Sequence, residues 1–171
     1  GARIAYASNR DGRYRLWVVD SSGSEPSVLV EAPGRMRSPS WSPAGDRVAY
    51  TGVVGGNTDV WAAPLDGSPP RRLTTAPGFD GRPDWSPDGR RLAFASDRDG
   101  DADIYIIRHD GTGLRKVTRN LVDDSSPSWS PGGRRIVFDR TDYERERTAI
   151  VVVDLATGAE TELVHSDDFV S

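Results

Sequence analysis

Cysteine is absent from this sequence, so disulfides and thiolate metal sites are excluded. That absence leaves the compartment open, since disulfides are optional even outside the cell. Lysine is nearly absent too, Lys116 being the sole example among 22 basic residues. No apolar run approaches the roughly eighteen residues a membrane helix requires, so no membrane insertion is expected. The formal net charge of −4 brings no concentrated basic surface, which argues against a nucleic-acid partner. The two histidines, His109 and His165, fall in a turn and in the tail. No G-x-S-x-G elbow, glycine-rich phosphate loop or H-E-x-x-H helix is present, and a hydroxyl nucleophile would lack a base. No catalysis is expected of this chain, and no cofactor. Gly1 stands without an initiator methionine or a signal-peptide pattern and reads as the start of a processed or excised piece.

What the chain does have is repetition. Arg3-Ile4-Ala5-Tyr6 returns as Arg47-Val48-Ala49-Tyr50, Arg91-Leu92-Ala93-Phe94 and Arg135-Ile136-Val137-Phe138, a constant step of 44 residues. Trp41-Ser42-Pro43 returns with the same step at Trp85-Ser86-Pro87 and Trp129-Ser130-Pro131. The units run 3–46, 47–90, 91–134 and 135–171 within a single domain spanning 1–171. A period in the low forties marks a propeller blade.

The third unit shows the pattern within a blade. Strand A is Pro83 to Ser86, ended by the turn Pro87-Asp88-Gly89; strand B is Arg91 to Ala95, alternating around Leu92 and Phe94. Strand C is Asp103 to Ile107 and strand D is Arg115 to Thr118. No helical stripe appears anywhere. The expected fold is all-β, a propeller of four-stranded antiparallel blades. Trp41, Trp85 and Trp129 are the expected wedges between blades, and Trp17, Trp61 and Tyr105 are expected core residues on strand C.

The wording from Pro39 to Tyr50, Pro83 to Phe94 and Pro127 to Phe138, with Ser8 to Gly12 and Ser96 to Gly100, resembles the TolB-like branch of the WD-type propeller repeats. The resemblance covers nearly the whole chain. It implies a periplasmic or other extracytoplasmic setting and a non-catalytic scaffold that binds proteins or peptides. Similar blades also gate prolyl-oligopeptidase-type and tricorn-type peptidases, which would place a catalytic domain outside this chain. A sugar- or metal-binding propeller is a third class. Two loops depart from the family wording: Gly52 to Asn57, and the charged, longer-armed Arg140 to Arg147.

Register also predicts about four blades, three complete and a first one without its inner strand, as part of a larger ring or of one closed by self-association. The loops joining D to A and B to C share one face, and the A–B and C–D turns share the other. Binding usually sits on loops held by a rigid scaffold. The candidates for a protein or peptide partner on the loop face are Phe79, Asp80, Arg82, Arg98, Asp123, Asp124, Asp167, Asp168 and Phe169. Asp97, Asp99, Asp101 and Asp103 alternate around Gly100 and could offer calcium several oxygens. The glycine is fourth where an EF-hand has it sixth, and Arg108 takes the place of the closing glutamate. The reading adopted is a metal-free loop held by aspartate-to-backbone hydrogen bonds.

Overall fold

The computed structural model describes residues 3–32 and 34–166. Among the described residues, fifteen strands form four antiparallel sheets, each one blade, and no helix is present. Blade 1 has three strands, β1 (Arg3–Ser8), β2 (Arg15–Asp20) and β3 (Ser27–Glu31). Blade 2 has β4 (Met36–Trp41), β5 (Arg47–Val54), β6 (Asn57–Pro64) and β7 (Arg71–Arg72). Blade 3 runs through β8 (Asp80–Trp85), β9 (Arg91–Ser96), β10 (Asp103–Arg108) and β11 (Arg115–Lys116). Blade 4 closes the series with β12 (Asp123–Trp129), β13 (Arg135–Asp142), β14 (Arg147–Asp154) and β15 (Glu160–Ser166). The inner strands β4, β8 and β12 stand side by side, and the blades form an open arc. The predicted three complete blades and one short of its inner strand are what the structure contains.

The repeat wording has a structural cause at each point. In Trp-Ser-Pro, the serine closes the A–B turn: Ser42, Ser86 and Ser130 hydroxyls accept the backbone N–H of Arg47, Arg91 and Arg135 at 3.2, 2.9 and 3.1 Å. The turn needs a left-handed residue, supplied by Gly45, Gly89 and Gly133 at φ 67°, 67° and 65°. The proline of Pro-x-Trp lies within the inner strand, where a proline cannot donate to the ladder. Each inner strand accordingly bulges there, between Arg37 and Ser40, Gly81 and Asp84, and Ser125 and Ser128. Strand D shrinks to two residues in blades 2 and 3 because Thr74 and Thr118 hydroxyls accept the N–H of Val60 and Ile104, both at 2.9 Å.

The core lies between blades. Trp85 packs with Ala49, Val60, Ala62 and Leu73 of blade 2, and Trp129 with Ala93, Ala95, Ile104 and Ile106 of blade 3. Trp41 stands against Ala5 and Ala7 of blade 1 in the same way, half-buried. Strand B offers alanine where the next blade's indole enters, so the small residues of the repeat are sockets for the large ones. Arginines follow the same step: Arg3 lies over the Trp41 ring at 5.1 Å and Arg91 over Trp129 at 4.7 Å.

On the turn face, aspartates cap the turns. Hydrogen bonds from the Ser22 and Ser24 hydroxyls hold the Asp20 carboxyl down at about 2. The Arg47 guanidinium, with the Ser42 hydroxyl, does the same for Asp46, also at about 2. Both folded values lie below the roughly 3.9 of an unfolded aspartate. Their stabilisation is therefore complete above that value and is lost as pH falls through the folded one.

Two outcomes are expected. Trp85→Ala leaves a cavity between blades 2 and 3 and lowers stability by about 3–5 kcal/mol in denaturant melts; a near-wild-type midpoint contradicts the socket packing. Urea midpoints should fall between about pH 4 and pH 2, and Asp20→Asn with Asp46→Asn should flatten that fall while lowering the midpoint at pH 7.

Candidate functional site

Hydrogen bonds between loops define the two faces. Leu65, His109 and Leu155, which enter C–D turns, donate to Asp46, Arg90 and Arg134 on A–B turns. On the other face Phe79 N–H donates to the Asp97 carboxylate at 2.7 Å, tying a D–A connection to a B–C loop. Asp124 N–H likewise reaches the Ala102 carbonyl.

On that loop face the inner strands start earlier than the pattern predicts. Asp80, Arg82, Asp123 and Asp124 were expected on loops; all four lie within β8 or β12. Asp80 is buried and pairs with Arg98 at 2.8 Å. Asp124 is fully buried and accepts from Arg140 Nε and Nη2 at 2.8 and 3.0 Å and from Asn120 Nδ2 at 2.7 Å. Neither carboxylate is on the surface. Arg140 grips Asp124 with a fork of donors, Arg98 holds Asp80 by Nη2 alone, and each pair fixes the start of an inner strand.

The remaining candidates divide. Phe79 is half-buried, its ring so close to Gly81 that a Cβ there would lie 2.6 Å from it. Arg98 is half-buried over the Tyr105 ring at 4.8 Å, its Nε donating to Ser96. Asp123 is half-buried and accepts the Ala102 N–H at 3.0 Å. Arg82 is exposed, as are its counterparts Ser38 and Ser126. These three carry φ of 55°, 49° and 53°, the left-handed residues of the three bulges. Arg82 Nη1 reaches both the Ser125 and Ser126 hydroxyls at 2.9 Å, linking one bulge to the next. Asp167, Asp168 and Phe169 lie outside the described residues.

The aspartates at 97–103 do not converge. Asp97 is turned to Phe79 N–H. Asp99 accepts from the Tyr105 hydroxyl, whose own pKa burial and that hydrogen bond push up to about 12. Asp103 is buried on the Thr118 hydroxyl and the Lys116 ammonium, at 2.9 and 2.5 Å. Burial pushes its carboxyl up, while the hydrogen bond to Asp103 keeps Lys116 protonated. Asp101 Oδ2 is buried and has no hydrogen-bond partner among the described residues. No group of three or more ligand-type side chains there could hold a metal ion.

Two exposed apolar residues escaped the sequence reading. Leu121 is 93% exposed and Tyr143 is 72% exposed. With Val122, Asp123, Glu144 and Arg145 they line a cleft of about 380 Å³ on the loop face. The available signal was a leucine in an otherwise polar connection and an aromatic in the fourth, departing B–C loop. A larger depression, about 510 Å³, lies elsewhere, on blade 4 around Val137, Val152 and Leu163.

The family described as the TolB beta propeller domain matches residues 1–169. A curated relative, the Tol-Pal system protein TolB of Methylobacillus flagellatus, is 49% identical over 43 residues, 25% of this chain and 10% of that protein. A TolB-type structure from Agrobacterium tumefaciens is 27% identical with a TM-score of 0.87, covering 96% of this chain and 62% of the other. A puromycin-hydrolyzing peptidase from Mycobacterium tuberculosis is 20% identical with a TM-score of 0.68, covering 96% of this chain and 30% of the other, a likeness of fold alone. The chain thus matches about a tenth of its curated relatives and less than two thirds of the solved TolB-type chain.

The buried pair predicts a sharp contrast. Asp124→Ala leaves Arg140 without its buried partner and should lower stability by about 3–5 kcal/mol. Glu144→Ala, on the exposed hairpin tip, should stay within about 0.5 kcal/mol. Equal effects in denaturant melts would mean that Asp124 is not the anchor described.

Proposed function

The chain belongs to the TolB beta-propeller domain family, and on that footing we propose that it is a non-catalytic scaffold binding a protein or peptide at the loop-face mouth of its inner strands. The observation that carries this reading is the trio of bulges in one register. They turn Ser38, Arg82 and Ser126 outward in conformations that ordinary strand residues avoid. Arg82 with the Ser125 and Ser126 hydroxyls makes a fixed group of donors, suited to carboxylates or carbonyls of an incoming chain. Three residues before Asp124, Leu121 adds an exposed apolar anchor, and Tyr143 stands across the same cleft. Anchors of this kind beside oriented polar groups are what protein interfaces concentrate their energy on.

The chemistry on the loop face supports binding in preference to reaction. Asp80, Asp97, Asp99, Asp103 and Asp124 are engaged by arginines, a lysine, hydroxyls or a backbone N–H, and the Tyr105 and Thr118 hydroxyls beside Asp99 and Asp103 are spent as their donors. Service as the gating propeller of a peptidase rests on likeness of fold alone.

Relatives of this chain carry the name of the Tol-Pal system, which makes a Pal protein the first partner to offer. Calorimetric titration should show binding that Arg82→Glu combined with Leu121→Asp weakens by at least about tenfold. Arg90→Glu, on the opposite face, should leave it unchanged. Sensitivity to Arg90 and indifference to Arg82 and Leu121 would overturn the choice of face, and no binding would remove Pal as the partner.

A further inference from the structure

In blade 2 the repeat loses an arginine and gains a slot. The segment after β9 in blade 3 folds Arg98 back over the Tyr105 and Phe94 rings at 4.8 and 5.7 Å, where Ser96 and the buried Asp80 hold it. Arg10 lies over Trp17 in blade 1 at 4.8 Å, and Arg140 lies over Phe138 in blade 4 at 5.3 Å. Blade 2 keeps the rings, Tyr50 stacked on Trp61 with centroids 6.5 Å apart, but not the arginine. In register with Asp80, Ser96 and Arg98 stand Met36, Gly52 and Val54. β5 continues to Val54 and turns at once through Gly55 and Gly56, at φ 62° and 84°, so the chain has no arm to fold back.

A cavity of about 270 Å³ lies beside the ring pair, walled by Val30, Met36, Tyr50, Val54, Trp61 and Pro70. Gly34 closes one side, so near the Val53 carbonyl that a Cβ would lie 1.6 Å from its oxygen, and Val53 N–H donates to the Arg35 carbonyl at 2.9 Å. The walls come from strand D of blade 1 and from blade 2, so neither end of the arc takes part. Val54 is 37% exposed at the rim. Arg35 lines the mouth and Arg37 follows Met36; both are exposed and, among the described residues, neither is ion-paired. Glu31, also at the mouth, is taken by Arg13 and Arg15.

We propose that this slot receives an aromatic side chain flanked by carboxylates, carried on a separate peptide. A planar group belongs there, because the rings are covered by a planar guanidinium in the other three blades. A guanidinium does not suit blade 2: Met36 replaces the carboxylate that would hold it, and Arg72 already lies over Trp61 at 6.0 Å. A neutral ring stacks on the same surface without needing that carboxylate. The volume falls below the roughly 300 Å³ at which drug-sized sites begin, which suits a single side chain. Arg35 and Arg37 beside the mouth complement carboxylates on either side of it. The slot is separate from Arg82 and Leu121 and stands if the loop-face reading fails.

The probe is an acetylated and amidated peptide, Glu-Glu-Phe-Glu-Glu, titrated into the full chain and followed through backbone amide shifts. The amides of Gly34, Gly52 and Val54 should shift and saturate. Serine in place of the peptide's phenylalanine should weaken binding by about tenfold or more, as for an anchor in a pocket. Glutamine in place of its glutamates should weaken binding by about two- to fivefold, the range of exposed ion pairs. Both changes leave the protein untouched, so folding does not enter. Val54→Arg should lay a guanidinium over the rings and weaken binding about tenfold, although it adds a positive charge that attracts the peptide. Arg82→Glu with Leu121→Asp should leave this binding unchanged. The proposal is overturned by absence of saturable shifts, by binding indifferent to the phenylalanine, or by tighter binding to Val54→Arg, the mark of a merely charged surface. Dependence on Arg82 and Leu121 overturns it too, by moving the peptide to the other cleft. It is equally overturned if the slot amides shift with protein concentration alone, since the occupant would then be a second copy.

Discussion

A twisted four-stranded blade has two apolar faces and can bury neither by itself, so everything in this molecule waits on what lies between blades. The contact that resolves it is a single indole set into a pair of small residues. Trp85 reaches across to Ala49 and Ala62, and Trp129 reaches across to Ala93 and Ala95. The fit is directional, because the wedge is always on the inner strand and the socket always on strands B and C of the blade before it. Direction explains why the repeat keeps alanine at Ala5, Ala49 and Ala93, each against a wedge, with valine at Val137 in blade 4, while the second position varies among Ile, Val and Leu. A larger side chain at Ala49 would meet the indole, whereas the second position, buried on the other face, needs only bulk.

Once the wedge is placed, the inner strand has to be held at both ends. At the turn end the serine hydroxyl of Trp-Ser-Pro does this, donating in turn to Asp46 in blade 2 and to Asp88 in blade 3. At the loop end blades 3 and 4 use a buried carboxylate and arginine, although burying a pair of charges brings little net stability. Its advantage here is geometric. The bulge forced by proline removes ladder bonds from the middle of the strand, and a guanidinium, forked onto Asp124 and singly bonded to Asp80, fixes position where the ladder cannot. Blade 2 has Met36 and Gly52 at these places and holds its strand by apolar packing instead. Asp84 adds a link across three blades, accepting from Ser40 at 3.3 Å and from Trp129 N–H at 2.8 Å.

Strands B and C were legible because alternation and the fixed step reinforce each other, as at Leu92 and Phe94. The first half of each inner strand was not. It is short and interrupted by proline, and in blades 3 and 4 it begins with aspartate, so every local signal says loop. Asp80 and Asp124 accordingly read as solvent-facing acids, and nothing nearby in sequence marks them as buried. Their partners also differ in register: Arg98 lies in the B–C loop, whereas Arg140 lies directly opposite Asp124 within β13. A repeat comparison looking for one fixed partner misses both. The acids at 97–103 had the converse problem, since spacing suggested convergence on a cation while a lysine, a tyrosine and a backbone N–H engaged three of them separately.

The outer strands show why charge could drift while the fold did not. At the start of strand C, blades 2 and 3 carry Asp59 and Asp103, paired with Arg72 and Lys116 on strand D. Blades 1 and 4 carry arginine at that same register, Arg15 and Arg147, paired with Glu31 and Glu162 on strand D. The pair survives with its sign reversed, and each exchange is completed inside one blade. Between blades, the contacts are indole against alanine and the polar links of Asp84, Arg82, Arg3 and Arg91, none of which belongs to these outer-strand pairs. A sign change in one blade therefore asks nothing of its neighbours, and the loop-face and turn-face charges are free to be set blade by blade. That independence lets one packing rule carry Arg82 at one bulge and serine at the other two, which is how a repetitive scaffold comes to present a surface that is not repetitive.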